Sequence, residues 1–493
     1  MNVHLEWLRL LAPETIVVVT ALIVLMADLT LFRQKPIAFR AAVAGMIATL
    51  GCLIAIFWLE ELSVSQKLGM LSLSPLTQMI KQAILALTIF TALISFSAKF
   101  TRHIGEYFAL LLLATVGLLF LISSENLLMI FVSLELLSLS LYAMVAFNKA
   151  SLASSEAALK YFLFGGMAAA FTLYGISLIY GLTGSLELPE IATKLSAQTA
   201  TPALYLALVM TLIGFAFKLA AAPFHLWAPD AYQGAPTQIA SFIASGSKIG
   251  SFFVLARILA VGFPQNTGSA AFCSWASGWA PILALLAVIS MLLGNIVAIM
   301  QSSVKRLLAY SAIAHGGYAL LAFFGTGTRA MSALMFYVIT YAITVLGAFA
   351  VVAMVENGSN REQMRDFAGL SRRAPVLSAC MAVFMLSLAG IPPLAGFFGK
   401  FYVFTVALSG SQNLGLLWLV IVAISASAIS LYYYLQVLKQ IYVADVPAHP
   451  APLDTNLVAR GAIVVLAAAV GLMGCLPGPT LEKLATAMAK SIF

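Results

Sequence analysis

The feature that most constrains this chain is a succession of apolar runs, most of them about 20 residues long, separated by short polar connections. A helix rising about 1.5 Å per residue needs about 20 residues to cross a hydrocarbon layer of about 30 Å. Fourteen such segments are read, near 13–32, 37–59, 74–97, 106–123, 125–147, 157–181, 202–222, 236–262, 280–302, 305–325, 331–355, 374–409, 414–442 and 459–477. Barrel strands would alternate apolar and polar residues over about ten positions, and these runs do not. Only 9% of the 493 residues are charged and 62% are apolar. A water-soluble domain ordinarily carries about 25% charge, so the bilayer is the natural solvent. The expected fold is an all-α polytopic membrane protein with about 14 transmembrane helices.

The net charge of +8 does not point to nucleic acid, because the basic residues are dispersed among short connections rather than gathered in one run. They act as topology signals. One set of connections and segment ends carries Arg33, Lys35, Arg40, Lys99, Arg102, Lys149, Lys160, Lys305, Arg306, Arg361, Arg365, Arg372, Arg373, Lys439 and Arg460. The opposite set carries Arg9, Lys67, Lys194, Arg257, Arg329, Lys483 and Lys490. The richer set is expected in the cytoplasm. Both termini are then expected on the periplasmic side of a bacterial inner membrane. Cys52, Cys273, Cys380 and Cys475 are scattered, so iron–sulfur, zinc and haem-attachment readings lack ligands. No cofactor or metal is expected on this chain. No removable signal peptide is read at its start.

Two segments are interrupted. The seventh runs into Pro223, in GFAFKLAAAPFHLWAPDAYQGAP, and the twelfth is broken by Pro392-Pro393, in SLAGIPPLAGFFGKFYVF. Proline lacks a backbone donor and leaves a carbonyl unbonded one turn back. Inside a membrane such backbone is tolerated only against protein or a water-filled cavity. The two breaks are five segments apart, so their helices cross in opposite directions. Segments 4–8 and 9–13 are therefore expected to be two five-helix units related by inversion, and paired broken helices point to a transport site.

Four lysines lie inside apolar segments: Lys81, Lys218, Lys248 and Lys400. Glu135, in SLELLSLSLYAM, and Lys248 both fall about midway along their segments; Lys218 and Lys400 flank the two breaks. An ionised group in hydrocarbon costs about 2.5 kcal/mol or considerably more. Desolvation favours a neutral amine, whereas a nearby carboxylate favours the ammonium. A carboxylate at variable distance from a lysine would thus load and unload a proton. The competing reading is a static salt bridge locking helices together. His225, in PFHLW, and His315, in KRLLAYSAIAHGGYALLA, suit proton relay by their ordinary titration range; the alternative is a histidine held by neighbouring backbone. Lys160 follows Glu156 by one helical turn and is expected to pair with it. Lys81 is expected to snorkel to the interface, Glu14 to favour a helix start, and Asp230 to cap a helix or turn.

The stretches around Glu135, Lys218, Lys248, His315 and Lys400, including SGSKIGSFFVLARI, resemble the antiporter-like subunits of proton-pumping NADH–quinone oxidoreductase, respiratory complex I. The resemblance covers segments 4 to 13. It implies two inverted five-helix repeats, broken helices 7 and 12, a Glu–Lys pair at Glu135 and Lys218, a central Lys248 and an ionisable residue at Lys400. A lysine at 400, with about sixteen residues after the fourteenth segment, is similar to the N-type branch; the M-type carries Glu there and the L-type a long C-terminal extension. The implied organisation is three N-terminal helices over 1–105, repeats over 106–263 and 264–443, and a final helix within 444–493. The implied function is proton translocation through Glu135, Lys218, Lys248 and Lys400, with His225 and His315 as further relay groups. Uptake is expected near Lys218 or His225. FMN, iron–sulfur clusters and quinone belong to other subunits. M-type and K-type neighbours and the lipid bilayer are the expected partners, and nucleic acid is not. A subunit of a multi-subunit Na+/H+ antiporter, or a non-conducting membrane-arm scaffold, are the competing functions.

Overall fold

A computed structural model describes residues 7, 9–62, 66–97, 100–196, 201–356, 362–446, 453 and 456–491. Lys99 and Arg361, two of the topology signals, lie outside these residues. The N-terminal helices are α1 (Ala12–Thr30), α2 (Ile37–Glu61) and α3 (Pro75–Ile94). Next come α4 (Ile104–Ser123), α5 (Leu127–Val145), α6 (Leu152–Thr183) and α7 (Pro202–Leu219). Three short pieces follow, α8 (Trp227–Gly234), α9 (Thr237–Ala244) and α10 (Gly246–Arg257). The second half contains α11 (Trp279–Ile299), α12 (Val304–Leu320), α13 (Gly327–Glu356), α14 (Pro375–Ala389), α15 (Ala395–Ser409) and α16 (Leu417–Tyr442). The chain then forms α17 (Leu457–Cys475) and α18 (Pro477–Ala489). Thirteen described helical stretches are long and apolar enough to cross a membrane, with α9 and α10 together forming one of them. The two shorter helices α14 and α15 correspond to the expected twelfth segment.

Local chemistry sets many helix starts. The side chains of Asn126, Ser151, Thr201 and Ser303 accept bonds from first-turn amides of α5, α6, α7 and α12, replacing partners those amides lack within the helix. Proline opens α3, α7, α14 and α18, where its missing amide costs nothing. Large apolar side chains such as Leu22, Phe57, Leu163, Leu285 and Leu472 remain exposed, as suits contact with lipid tails. Helices α9, α10, α12 and α13 are buried along most of their length.

The two interrupted helices end in the same way. After α7, Ala220 adopts a left-handed conformation (φ 54°) and the Ala221 amide bonds back to the Ala216 carbonyl at 2.8 Å. After α14, Gly390 does so (φ 85°) and the Ile391 amide bonds back to Leu386 at 3.0 Å. Beyond each turn come the prolines. Pro223 has no amide to offer Leu219, and Pro392 and Pro393 have none for Leu388 and Ala389.

A third interruption departs from expectation. The eighth segment, read as one helix over 236–262, divides at Ser245, whose backbone (φ −110°, ψ −80°) is non-helical. The Ser245-Gly246-Ser247 run explains it, because Gly and Ser pairs are recurrent sites of helix kinking. The segment closes with a π-turn over Ile258–Gly262. The seventh segment, read to residue 222, ends as a helix at Leu219.

Helix pairs in the two halves cross at matching places. Gly117 of α4 lies against α5 so closely that a Cβ would stand 2.8 Å from the Leu137 amide nitrogen and 3.1 Å from the Ser133 carbonyl oxygen. Gly294 of α11 meets α12 likewise, 2.7 Å from the Ala314 nitrogen and 2.8 Å from the Tyr310 oxygen. One sequence offset relates Gly117 to Gly294, Ser133 to Tyr310 and Leu137 to Ala314. By that register, Ala312 occupies the position of Glu135, and His315 that of Ser138. Backbone cannot yield as a side-chain tip can, so Gly294→Ala is expected to destabilise the fold by about 1–3 kcal/mol. A lowered melting temperature of the purified complex checks this, with Gly461→Ala, where a Cβ meets nothing within 4 Å, expected to be neutral.

Candidate functional site

The second break brings Lys400 onto the backbone carbonyls the prolines leave unbonded. Its Nζ donates to Leu388 O at 3.0 Å, to Ala389 O at 3.2 Å and to Ser427 Oγ at 2.9 Å. The carbonyl end of a helix carries partial negative charge, so an ammonium there is favoured. Lys400 follows the break in sequence and folds back over it. Its Nζ also stands 5.1 Å from the centre of the Tyr318 ring, a cation–π arrangement.

Lys248 lies three residues past the Ser245 discontinuity. Its Nζ donates to Ala312 O at 2.6 Å and stands 5.9 Å from the Tyr341 ring centre. Ala312 is one turn before His315 on α12 and, by the register above, the counterpart of Glu135. His315 stacks on the same Tyr341 ring (centroids 4.9 Å apart) and meets Tyr318 edge-on at 5.7 Å. Its Nδ1 contacts the Tyr337 hydroxyl at 2.7 Å and its Nε2 the Tyr434 hydroxyl at 3.1 Å. Thus Tyr341 is shared by Lys248 and His315, and Tyr318 by His315 and Lys400. Tyr434 also bonds Ser311 Oγ at 2.5 Å, and the Tyr318 hydroxyl receives Asn295 Nδ2 at 2.9 Å. The Tyr341 hydroxyl is buried and has no hydrogen-bond partner among the described residues.

Lys218 sits in the last turn of α7. Its ammonium donates to the Ser138 hydroxyl and stands 5.7 Å from the Tyr142 ring centre and 5.3 Å from that of Phe217. Glu135 is half-buried on α5, nearly one turn from Ser138. Among the described residues no ion pair joins Glu135 to Lys218; the ammonium's hydrogen-bond acceptor is the Ser138 hydroxyl instead. The Leu219 carbonyl freed by Pro223 faces Gly316: a Cβ there would be 3.4 Å from Leu219 O and 3.7 Å from Lys248 Nζ. The end of the first broken helix and Lys248 therefore flank one glycine of the His315 helix. His225 is buried beyond Pro223, its Nδ1 without a hydrogen-bond partner among the described residues. It touches none of the three lysines through a hydrogen bond.

Lys218, Lys248 and Lys400 are all buried. None forms an ion pair among the described residues, whereas Lys81, Lys160 and Lys305 do. Lys81 does not snorkel: with 2% of its side chain exposed it pairs with Glu14 at 2.5 Å. That partner lies on α1, far away in sequence. Lys160 contacts Glu156 as expected, at 2.7 Å, and also Asp230 at 2.7 Å. Asp230 is not a cap; it is held by Lys160 and by Arg306 at 2.7 Å. Burial pushes its carboxyl up, but the hydrogen bonds from Lys160 and Arg306 outweigh this and hold it below its usual value.

Sequence reasoning did not reach the groups that surround these lysines. Tyr337, Tyr341 and Tyr434 are hydroxyl-bearing aromatics in apolar helices. Only the one-turn spacing of Tyr337 and Tyr341 hinted that they share a face.

A polytopic helical protein with two matching proline-broken helices and buried lysines outside ion pairs is an antiporter-like membrane protein. Residues 124–429 match the family described as "NADH:quinone oxidoreductase/Mrp antiporter, TM". The chain is 51% identical over 482 residues to NADH-quinone oxidoreductase subunit N 2 of Acidobacterium capsulatum, spanning 96% of this chain and 97% of that protein. It is 33% identical to a chain of respiratory complex I from Thermus thermophilus solved with bound aureothin, with a TM-score of 0.78 over 96% of this chain and 99% of that one. A chain of the Mrp complex from a Dietzia species shares the fold, with a TM-score of 0.82 at 20% identity over 97% of this chain and 96% of that one. The chain belongs to the NADH-quinone oxidoreductase subunit N family, the antiporter-like membrane subunits of complex I.

Proposed function

We propose that this chain is a proton-translocating membrane-arm subunit of a bacterial NADH:quinone oxidoreductase, set in the inner membrane between M-type and K-type neighbours. Electron transfer occurs on other subunits, which hold FMN, iron–sulfur clusters and quinone. Protons pass along Lys218, Lys248, His315 and Lys400, within five-helix units over 106–263 and 264–443. Glu135 biases the first lysine by its charge, and His225 serves the same end of the path. The observation that carries this reading is that three buried lysines are held by carbonyl and hydroxyl oxygens rather than by carboxylates. Static salt bridges would need acidic partners at the lysines. A neutral oxygen accepts from an ammonium or an amine alike, so Lys248 and Lys400 can lose a proton without stranding a buried anion.

His315 supports passage between Lys248 and Lys400, because each lysine shares an aromatic neighbour with it and both ring nitrogens meet hydroxyls. Moving one charge against 100 mV takes about 2.3 kcal/mol. Redox-driven rearrangement must therefore swing the proton affinity of a lysine by a factor of about fifty.

The test is Lys248→Ala in the assembled complex. Inside-out vesicles are expected to keep the complex and its NADH:ferricyanide reductase activity, while proton pumping per NADH falls by about tenfold or more, the equivalent of at least 1.4 kcal/mol. Undiminished pumping would leave only the scaffold reading.

A further inference from the structure

Helix α11 is apolar along most of its length, yet it buries the Asn295 side chain completely. A buried amide is costly unless its polar groups are bonded, and these are. Nδ2 donates to Met291 O at 2.7 Å and to the Tyr318 hydroxyl at 2.9 Å, and Oδ1 receives the Tyr433 hydroxyl at 2.9 Å. Met291 O can only accept, which sets the nitrogen on that side and the oxygen toward Tyr433. Both N–H bonds and the oxygen are thus engaged, and one amide ties α11 to α12 and α16.

Holding two helices together does not require this clamp. The register that relates the two halves sets Leu118 at the place of Asn295 and Leu141 at that of Tyr318, and both leucines are buried. Helices α4 and α5 approach main chain to main chain with leucines there. The clamp belongs to the half that contains Lys400.

What the clamp holds is the ring that Lys400 and His315 share. The Tyr318 hydroxyl lies on the long axis of its ring, so anchoring the oxygen fixes that axis and keeps the ring from swinging to another χ1 rotamer. The ring centre then stays 5.1 Å from Lys400 Nζ, with His315 edge-on at 5.7 Å and Phe404 edge-on at 6.2 Å. A ring face attracts a cation through its quadrupole, an attraction that a neutral amine lacks. Where the ring stands therefore enters the balance between the two states of Lys400. The other titratable groups on helices packed against this site are His315, Tyr434, which bonds it, and Tyr337, which lies against Gly399. Leu388, Ala389 and Ser427 give Lys400 uncharged oxygens, and Arg460 and Cys475 lie toward the two ends of α17.

We propose that Asn295 is a positioning residue for proton exchange at Lys400, acting through the Tyr318 ring. The inference rests on the relay reading above. Among the described residues Asn295 makes no hydrogen bond to Lys400 or His315, and an amide exchanges no proton of its own in this role. Its part is to keep the ring face presented while the lysine changes charge.

The test compares variants in the assembled complex, with pumping per NADH normalised to the amount of complex on a native gel. Asn295→Leu removes the clamp with little change in size, and Tyr318→Phe removes only the oxygen it grips. Each is expected to lower pumping by about fivefold or more, roughly 1 kcal/mol in the limiting barrier. Each is also expected to displace the pH profile of pumping by about half a unit, roughly a threefold change in proton affinity. A merely structural role would lower the profile without displacing it. In a Tyr318→Leu background, which lacks the ring, adding Asn295→Leu is expected to cost nothing more, because the two act through one contact. Wild-type pumping by either single variant, an undisplaced profile, or a further severalfold loss in the Tyr318→Leu background overturns the proposal. Tyr318→Phe decides the matter where Asn295→Leu does not assemble. If the single variants pump normally and Lys400→Arg does not, the relay stands without this device. If Lys400→Arg also pumps normally, the relay reading fails at Lys400 and this inference falls with it.

Discussion

Exchanging Lys400 for Arg is expected to yield a fully assembled complex that pumps at about a tenth of the wild-type rate or less, a barrier higher by roughly 1.4 kcal/mol or more. Lys400 does two things at once. It caps the Leu388 and Ala389 carbonyls that Pro392 and Pro393 leave unbonded, and on the relay reading it gains and loses a proton. A guanidinium can do the first, since its donors suit carbonyl oxygens and its charge suits a helix C-terminus. It cannot do the second, because arginine stays protonated in proteins. Lys400→Met separates the roles from the other direction. It leaves two buried carbonyls without partners, at about 1–3 kcal/mol each, so both assembly and pumping should fall. Native-gel abundance and pumping per NADH, measured on both variants, read the two roles independently. An arginine variant that pumps normally would restrict Lys400 to its structural role.

Lys81→Ala is expected to reduce the amount of assembled complex sharply. The Lys81–Glu14 pair is closed off from water on both sides, with 2% and 3% of the two side chains exposed. Removing one partner of a buried pair costs about 3–5 kcal/mol, because the other charge is left uncompensated. Glu14 already has one oxygen without a hydrogen-bond partner among the described residues, so it has little with which to replace the lysine. Replacing both residues by apolar ones of similar size, Glu14→Leu with Lys81→Met, should recover most of the loss. Melting of the detergent-purified complex, followed with native-gel abundance, checks this order. Neither variant should alter pumping per assembled complex.

What the sequence revealed and what it hid follow from the range of the interactions. Proline acts on its own neighbours, so Pro223 and Pro392-Pro393 announce broken helices without reference to the rest of the fold. A lysine in an apolar run is anomalous by itself, so Lys218, Lys248 and Lys400 stand out. Their partners do not, because Ser138, Ala312 O and Ser427 are ordinary residues whose importance arises only from tertiary placement. Lys81 misleads for the same reason: its position suggests reach to the interface, but Glu14 is 67 residues away. The divided eighth segment lacks a proline, and Ser-Gly-Ser in an apolar run is compatible with an unbroken helix. Asp230 suggests a cap from its place at a helix start, whereas two cations from other helices claim it.

The close approaches at Gly117 and Gly294 bear on how such a machine can move. Where two helices touch main chain to main chain, neither can slide or roll past the other without collision. The α4–α5 and α11–α12 pairs are thereby clamped into rigid staves. Glu135 and His315 ride on those staves and keep fixed positions in the membrane. Switching during turnover is then expected in the swing of long, flexible amines and the wetting of the gaps they cross rather than in slippage within either helix pair.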